Sequence, residues 1–527
     1  MFNNQKAEIF NSVSSSDFPL FRYAKKASDV CITLFILSVL YLGYSLISRV
    51  SFDSALRLNI FFFVLTAVFW EIHLFFENSI KKPQLPKKLA DVSREDNLAE
   101  FLTLESAKIV SGALKFCRRK KISEVSSINL LYSALSSSFQ TKYIFNRLGL
   151  EIERVQDLLK NSLEKSARGE STANVFSEDF NSAMSVALAT AKARLHERIE
   201  ARDILVGISG AEFFKQILIE ASLKEDDFAN LSVWYDYLEK KIENRKQFWS
   251  KDNLAMNGSI GKDWAAGYTV TLDQYSTDLT KYIRRWFYKA IIGHEKALER
   301  LQEALCRPQM NNALIVGDPG TGRESIIEGL ARRVFLGKSL EEINYHRVIE
   351  LDMSGLLSQV KTEDETTFVL DKIFSEVVSA GNVILVIKDF HNYVGLEINQ
   401  PGMVDISGIL SKYLSIFGFK FVGITDYTGL HERIEKNPAL LSMFEKIEVS
   451  EITEAETIRI LQNRALELEQ KYKLFIIYPS IRELVNLAAK YIPNQPFPKK
   501  AINILEDVAI YVARSVKAKV VLPEHVA

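Results

Sequence analysis

The clearest feature of the hydrophobic pattern is a pair of long apolar runs near the start of the chain. Residues 30–47 read VCITLFILSVLYLGYSLI without a charged side chain. Residues 58–76 read LNIFFFVLTAVFWEIHLFF, with Glu71 and His73 only near the far end. Uncharged runs of ~20 residues can cross a bilayer and are rare in soluble domains. They predict a transmembrane α-hairpin over 29–77, with helices at about 30–48 and 58–76. Buried core helices and a cleaved signal peptide are the alternatives.

Basic residues around this hairpin predict its orientation. The connection between the runs contains only three charged residues, Arg49, Asp53 and Arg57. The flanking basic residues are Arg22, Lys25, Lys26, Lys81, Lys82, Lys87 and Lys88. The positive-inside rule therefore places both ends in the cytoplasm. The chain is expected to be a multi-pass integral membrane protein, of the plasma membrane if it is bacterial. A cytoplasmic tail would cover 1–28 and a proline-containing linker 78–96.

Residues 97–230 have helical spacing and repeat themselves weakly. The two halves begin LTLESAKIVSGALKF at Leu102 and FSEDFNSAMSVALAT at Phe176. Each opens with a capping residue, Thr103 or Ser177, runs through a helix and enters a second short helix near 128–131 or 202–205. Since each half needs the other to bury its apolar side chains, they predict one pseudo-symmetric, all-α domain.

Composition narrows the range of partners. Among 527 residues there are 66 basic and 66 acidic side chains, a formal net charge of zero, so nucleic acid is not an expected partner. The three cysteines are far apart, which gives no metal-binding spacing and fits a reducing compartment. At 47% hydrophobic residues, a chain of this length can form several packed domains.

The second half of the chain alternates apolar strands with helices. Residues 231–271 contain MNGSIGKDWAAG, whose Gly and Asn residues predict a linker. Buried strands are then expected at 313–316, 348–353, within 382–395 and at 419–425, an alternation typical of a parallel α/β sheet. We expect a large α/β subdomain over 272–450 and a helical lid subdomain over 451–527.

A glycine-rich stretch, GDPGTGRES, follows the first of these strands and precedes a helix expected to begin near Ser325. This is the context of a phosphate-binding loop with the pattern GxxxxGK[ST], although arginine here replaces the lysine and glutamate the hydroxyl residue. The backbone amides of Gly320 and Gly322 can still cradle a phosphate. The candidate nucleotide-binding residues are Gly317, Asp318, Pro319, Gly320, Thr321, Gly322, Arg323, Glu324 and Ser325.

These features together resemble the Clp-type AAA+ unfoldases. The resemblance is carried by AIIGHEKALERLQEAL before the loop, by IEKNPAL and PKKAINILEDVA after it, and by the order of the strands. The two helical halves are similar to the Clp N-terminal repeat domain, although Asn129 and Asp203 lie near the place of that family's histidine. The resemblance implies a multidomain fold, with a Clp N-type repeat domain at 97–230 and an AAA+ P-loop module from 272 onward.

The resemblance also implies ATP or ADP at the loop, with Ile292 and Gly293 as further contacts. In this family the loop lysine reaches the terminal phosphates and the next hydroxyl binds Mg²⁺. Arg323 keeps a positive charge in a different shape, whereas Glu324 places a carboxylate beside the phosphates. These substitutions argue against a bound Mg²⁺.

The family's second motif ends a strand in Asp-Glu, where Asp organises Mg²⁺ and Glu orients the attacking water. Here it reads Lys388-Asp389. In one register Lys388 takes the metal residue's place; in the other Asp389 does, and Phe390 takes the water-activating place. Lys388 is then expected either to neutralise a phosphate or to pair with Glu324 in a closed, metal-free site. Thr425 keeps the family's polar sensor position.

Two further parts of the family's machinery are replaced. Ser442 and Met443 stand where relatives have paired arginines that reach a neighbouring subunit. Thr362, in QVKTEDE, stands where an aromatic residue grips the threaded chain. Because losses at separate positions share no local cause, we do not expect an active ATPase.

The hypothesis from the sequence is a membrane-anchored, degenerate Clp-like protein, acting as a scaffold or regulatory subunit at the cytoplasmic face. Its expected partners are the membrane, AAA+ subunits in a homo- or hetero-oligomeric ring, and protein substrates or adaptors bound through 97–230. One alternative is an active ATP-dependent unfoldase, or the ATP-binding subunit of a protease, with a second module outside this chain. Another is a membrane organiser that recognises partners through the repeat domain alone.

Overall fold

A computed structural model gives the three-dimensional structure of the chain. It describes residues 2–5, 7–16, 19–48, 52–81, 85, 87–93, 96–164, 175–221, 223–247, 249, 269–286, 293–360, 362–395, 405–516 and 518–526. The chain divides into two compact units, Met1–Tyr235 and Asp236–Ala527. The division falls within one helix, Glu225–Lys246, which covers the first part of the stretch predicted as a linker.

The regular secondary structure described in the first unit is helical. Its α-helices are α1 (Glu8–Ser16), α2 (Pro19–Ser48), α3 (Phe52–Lys81), α4 (Leu104–Lys120), α5 (Ser127–Ser137), α6 (Phe139–Arg147), α7 (Ile152–Glu164), α8 (Glu178–Ala193), α9 (Ala201–Ser209), α10 (Glu212–Glu220) and α11 (Glu225–Lys246). The two apolar runs lie in α2 and α3, which pack against each other.

Helices α2 and α3 contain the segments Ala27–Ile47 and Asp53–Ile72, which are long and apolar enough to cross a membrane. Only 17% and 6% of these segments is buried, so their apolar side chains point outward. Polar groups instead bond between the two helices: Thr66 Oγ1 donates to Cys31 O at 3.1 Å, and Asn59 Nδ2 donates to Ser38 Oγ at 3.1 Å. An apolar exterior with internally bonded polar groups suits a lipid environment.

The two helical halves are joined by a pair of symmetric backbone bridges. Leu102 pairs in parallel with Ile199, and Val125 pairs in parallel with Phe176. The opening residue of each half therefore binds the segment just before the short second helix of the other half. This exchange gives the pseudo-twofold arrangement that the sequence repeat predicts.

Helix capping repeats in the same way. The Thr103 and Ser177 side chains accept from the third backbone N–H of α4 and α8. In the second helices, Asn129 Oδ1 accepts from Ser126 N and Asp203 Oδ2 from Glu200 N, each at 2.9 Å. The two positions near the family's histidine thus act here as helix-capping side chains, which explains their short polar character.

The second unit contains a six-stranded sheet in the order β1-β3-β4-β5-β2-β6. Its strands are β1 (Ser276–Asp278), β2 (Asn312–Val316), β3 (Arg347–Leu351), β4 (Val383–Ile387), β5 (Lys420–Thr425) and β6 (Glu445–Glu448). Only the edge strand β1 pairs antiparallel; the other pairs are parallel. The predicted strands are present, and β1 and β6 extend the sheet beyond them.

Helices of this unit cover both faces of the sheet. They are α12 (Val270–Gln274), α13 (Leu279–Trp286), α14 (Glu295–Leu305), α15 (Arg323–Leu336), α16 (Met353–Gln359), α17 (Glu363–Ala380), α18 (Ser407–Leu414), α19 (Tyr427–Gly429) and α20 (Pro438–Leu441). Alternate residues of β2 enter separate cores, with Leu314 and Val316 in one and Ala313 and Ile315 in the other. Burial on both faces explains the continuous apolar strands.

A smaller helical subdomain follows the sheet. It contains α21 (Glu454–Tyr472), α22 (Tyr478–Tyr491) and α23 (Lys499–Tyr511), with a parallel pair of short strands, β7 (Phe475–Ile476) and β8 (Val520–Val521). It has its own apolar core. Thr453 and Glu456 form a capping box at its first helix, which marks where the lid begins.

Helices α8 and α9 pack closely at Gly207, and this contact predicts how a larger side chain there would affect stability. A Cβ added at Gly207 would come within 2.9 Å of the Ala183 carbonyl carbon and closer still to its oxygen. Gly207→Ala should therefore push the two helices apart and cost about 1–3 kcal/mol. Hydrogen exchange of the full chain should show protection in α8 and α9 reduced roughly 5- to 150-fold.

Gly210→Ala is the matched control, because no heavy atom lies within 4 Å of its added Cβ. That variant should leave protection unchanged or slightly increased. Equal protection in both variants would contradict the close packing at Gly207.

Candidate functional site

The glycine-rich loop connects β2 to α15 and folds tightly at two glycines. Gly320 and Gly322 have φ angles of +102° and +103°, a region that favours glycine, and Gly322 caps α15. The helix begins at Arg323, two residues before the predicted start. The loop and the first helical turn thus bring Gly317 to Ser325 together as one structure at the carboxyl end of a central strand.

Neighbouring segments hold the loop in place. Gly317 N donates to Thr425 O at 3.3 Å, and Thr321 Oγ1 donates to Asp318 O at 2.9 Å. His294 Nε2 lies 2.7 Å from Thr321 O; because a carbonyl only accepts, this nitrogen carries the proton. Gly293, beside this histidine, has a φ angle of +83°. Ile292, the other predicted contact in this stretch, lies outside the described residues.

Arg323 occupies the place of the loop lysine. Its Nη1 atom is buried and has no hydrogen-bond partner among the residues that the structure describes. A buried guanidinium nitrogen without a partner is costly, so it marks a place where an anionic group would be stabilised. The two loop glycines and this nitrogen together fit a phosphate.

Lys388 lies between two carboxylates, one from the loop helix and one from a neighbouring strand. Its Nζ is 2.9 Å from Glu324 Oε2 and 3.0 Å from Glu350 Oε1. Burial lowers the pKa of Lys388, but the hydrogen bonds to Glu324 and Glu350 outweigh it, so the pKa lies above its ordinary value. Of the two arrangements considered from the sequence, the structure contains the ion pair with Glu324.

The pairing of Glu324 with Lys388 changes the charge beside the loop. In a working loop, the residue at the position of Glu324 offers a hydroxyl to Mg²⁺. Here its carboxylate is bonded to an ammonium that repels a cation. No group of three or more His, Cys, Asp or Glu side chains within the described ranges could hold a metal ion. The loop glycines and Arg323 fit a phosphate, whereas the Lys388 ammonium beside Glu324 disfavours a second cation at this position.

The three residues after β4 lie in different environments. Phe390 is fully buried, with its ring centroid 5.4 Å from that of Phe421 and 5.7 Å from that of Phe444. Asp389 is exposed and has a φ angle of +46°. Lys388 is thus the side chain that faces the loop, and Asp389 follows it at the surface.

Thr425 is fully buried and bonded within its own neighbourhood. Its Oγ1 donates to Asp426 O at 3.2 Å and lies 3.0 Å from His391 Nδ1, which is then the donor. Its backbone carbonyl supports the loop through Gly317. Among described contacts, this residue therefore supports the site and its hydroxyl is already engaged.

Three residues near the loop were not predicted as site residues from the sequence. These are His294, Glu350 and Lys499, which contact the loop or its ion network. Lys499 begins the lid helix α23, and its Cβ and Cδ lie 3.0 Å from the place of a Cβ at Gly320. His294 and Lys499 stand within quoted family motifs, so the motifs were a usable signal. Glu350 carries no such signal because only strand pairing brings it near Lys388.

Positions for intersubunit and channel contacts have structural roles here. Thr362 accepts from Glu365 N at 3.3 Å and caps α17. Ser442 Oγ donates to Ala439 O at 2.8 Å, and Met443 packs partly buried against the apolar core. None of these side chains offers the charge or aromatic ring expected at its position in the family.

Parts of the chain match known proteins. The model of the AAA lid domain matches residues 453–524. The chain is 33% identical over 238 residues to the chaperone protein ClpB of Aquifex aeolicus, covering 45% of this chain and 24% of that protein. It is 32% identical over 239 residues to the negative regulator of genetic competence ClpC/MecB of Bacillus subtilis, covering 45% of this chain and 29% of that protein. The chain therefore spans less than a third of the length of these relatives.

Among solved structures, a closed-state reconstruction of Hsp104 with ATPγS and FITC-casein matches with a TM-score of 0.45 and 25% sequence identity. That match covers 49% of this chain and 44% of the other. The lid model and the curated relatives support a relationship of this chain to the Clp/Hsp100 family of AAA+ proteins.

Proposed function

We propose that this protein is a membrane-anchored, Clp-like AAA+ protein that does not hydrolyse ATP. It acts as a scaffold or regulatory subunit at the cytoplasmic face and recruits protein substrates or adaptors through its helical repeats. The observation that carries the proposal is the contact of Lys388 with Glu324 and Glu350, at 2.9 and 3.0 Å. It puts an internal ion network where a metal-dependent ATPase needs Mg²⁺.

Hydrolysis in AAA+ proteins depends on positioning and charge stabilisation by several separate groups. Glu324 and Lys388 replace two groups that organise the metal, and Asp389 is exposed beyond the strand end. No arginine stands at 442 or 443 to reach a neighbouring subunit. A phosphate could still bind through the glycine amides and Arg323, so ATP or ADP binding without turnover fits this site.

The proposed anchor is the hairpin formed by α2 and α3. Their apolar segments are exposed, and side chains such as Leu40, Ile47 and Phe75 are 64%, 87% and 67% exposed. Water would disfavour so large an apolar surface, whereas hydrocarbon would cover it. The basic residues on both flanks support cytoplasmic placement of the two ends.

The proposed recruiting module is the pair of helical halves over 97–230. Their reciprocal bridges join the two halves into one domain, which suits a receptor for substrates or adaptors. Assembly into a homo- or hetero-oligomeric ring is part of the proposal, because the α/β sheet and lid retain the layout of an AAA+ module.

The first prediction concerns turnover and metal dependence. The purified full chain in detergent should hydrolyse ATP far more slowly than ~1 s⁻¹, the lower end of ordinary enzyme rates. Because Glu324 replaces the hydroxyl residue and is paired with Lys388, calorimetry should give the same nucleotide affinity with Mg²⁺ and with a chelator. A quadruple variant, Arg323→Lys, Glu324→Thr, Lys388→Asp and Asp389→Glu, tests the same point. It should bind nucleotide at least ~10-fold more tightly with Mg²⁺ than with a chelator.

Turnover at or above ~1 s⁻¹ in the unmodified protein, abolished by Arg323→Ala, would support the active unfoldase instead. Tighter binding of nucleotide with Mg²⁺ in the unmodified protein would contradict the metal-free site. If nucleotide binds to neither protein, the loop is a structural remnant and the scaffold hypothesis keeps only its assembly role.

The second prediction concerns the ion network itself. Lys388→Met leaves two carboxylates facing each other and should destabilise the start of α15 by about 1 kcal/mol, a modest value because Lys388 is 38% exposed. Hydrogen exchange should show protection in α15 reduced roughly fivefold. Lys436→Met, at an exposed lysine of the same unit, should show no such change.

The pH dependence follows from the raised pKa of Lys388. A folded-state pKa above the unfolded value adds stability that is complete below the unfolded pKa and is lost as pH rises through the folded pKa. The stability difference between the protein and Lys388→Met should therefore persist from neutral pH to about pH 10 and disappear above it. Pulse proteolysis in urea would measure it; a difference that disappears near neutral pH would contradict the ion network.

A further inference from the structure

The residues before the hairpin are folded onto the helical repeats. Phe2 is only 8% exposed, and its ring meets those of Phe176 and Phe180 edge-on at centroid distances of 5.0 and 5.2 Å. These two rings stack on each other at 4.5 Å and belong to the opening of the second repeat. Edge-to-face contacts of this kind stabilise aromatic clusters beyond the area they bury.

A polar clamp lies beside this aromatic anchor. Asn3 N donates to Asn97 Oδ1 at 2.8 Å, and Asn97 Nδ2 donates to Asn3 O at 2.7 Å. One carboxamide thus binds both backbone groups of Asn3, in the way a neighbouring strand would. The two residues are 94 positions apart and lie on opposite sides of the hairpin in sequence.

Helix α1 continues the contact. Its residues Ile9 and Val13, one helical turn apart, are 2% and 3% exposed, whereas Glu8 faces solvent. The helix packs against α4 of the first repeat and against the 3₁₀ turn Leu98–Phe101. The segment therefore touches both halves of the repeat domain, through Phe2 on one half and α1 on the other.

We propose that residues 2–16 form an intramolecular clip that binds the repeat domain and holds it beside the membrane. The inference rests on the proposed membrane anchoring for its second part only; the clip itself is a contact within the chain. With the clip closed, the repeat domain is connected to both ends of the hairpin, through residues 2–16 before it and through the linker after it. A proline-containing linker alone would leave the domain attached at one end.

Short connections make this restraint tight. Between Pro19 and the apolar segment beginning at Ala27, α2 rises only ~12 Å. On the other side, the chain from Lys81 to Leu89 spans at most ~28 Å. Such connections give the clip an effective concentration of the order of millimolar, so a weak contact suffices to keep it closed.

The clip also restricts the possible topologies. If only one of the two helices crossed the membrane, residues 2–16 and the repeat domain would lie on opposite sides and could not touch. A leader removed after translocation would take Phe2 and Asn3 away from Phe176 and Asn97. The contact therefore favours an uncleaved hairpin with both flanks on one side.

Cross-linking of the full chain in native membrane vesicles tests the clip. Asn4→Cys and Leu98→Cys place thiols next to the two clamping residues without removing either, and a short bis-maleimide should join them within one chain. Native thiols compete little, because burial raises the pKa of Cys117 and of Cys306 to about 11 and Cys31 is buried. Adding Phe2→Ala should lower the cross-linked fraction at least fivefold; Gln5→Ala, at an exposed position of the same segment, should leave it unchanged.

Energy transfer in reconstituted vesicles tests the second part. A dye on Leu195→Cys, at a position 90% exposed, should transfer less energy to a headgroup acceptor when Phe2→Ala opens the clip. No cross-link in a chain whose repeat helices stay protected from hydrogen exchange, or a cross-link unaffected by Phe2→Ala, would overturn the clip. A cross-link in a chain that alkaline carbonate extracts from the vesicles would retain the clip and reject the anchor. If Phe2→Ala abolishes the cross-link but leaves the energy transfer unchanged, the clip does not hold the repeat domain beside the membrane.

Discussion

The charge arrangement around Lys388 determines how the candidate site can work. The lysine follows a central strand, and its ammonium neutralises a carboxylate on the loop helix and another on the adjacent strand. In a metal-dependent site, carboxylates and phosphates are brought together by a bound cation. Here a covalently attached cation performs that neutralisation permanently. In the proposed function, the strand ends then need no metal to offset their negative charge.

The fold of the second unit was largely predictable, because burial on both faces of a parallel sheet leaves continuous apolar runs such as 383–387. The site was predictable only in part. The loop pattern identified 317–325, but sequence could not choose between the two registers at Lys388 and Asp389. The contact of Lys388 with Glu350 was not predictable either, because Glu350 reaches the lysine only through the pairing of β3 with β4.

The first unit shows a similar limit. The repeat predicted two related halves, yet the bridges that join Leu102 to Ile199 and Val125 to Phe176 connect residues distant in sequence. Asn129 and Asp203 departed from the family pattern, and their capping bonds give a local physical reason for the change. The contact of Phe2 with the second repeat left no trace in the hydrophobic pattern, because one aromatic residue in a short polar segment has no periodicity to detect.

The ion pairs of Lys388 are consistent with the proposed module that serves as a structural part instead of a motor. A hydrolytic AAA+ site must exchange between ligand states, which requires that its charges be satisfied differently in each state. A site whose carboxylates are already paired with Lys388 gains little from Mg²⁺, so nucleotide would stabilise one arrangement and drive no cycle. The proposed recruiting role does not require ATP hydrolysis either. A scaffold needs a fixed position and an exposed recognition domain, and neither depends on turnover. In the proposed function, the ion pairs of Lys388 with Glu324 and Glu350 take over the charge balance at the strand ends, and the separate replacements at 362, 442 and 443 fit the same lack of turnover.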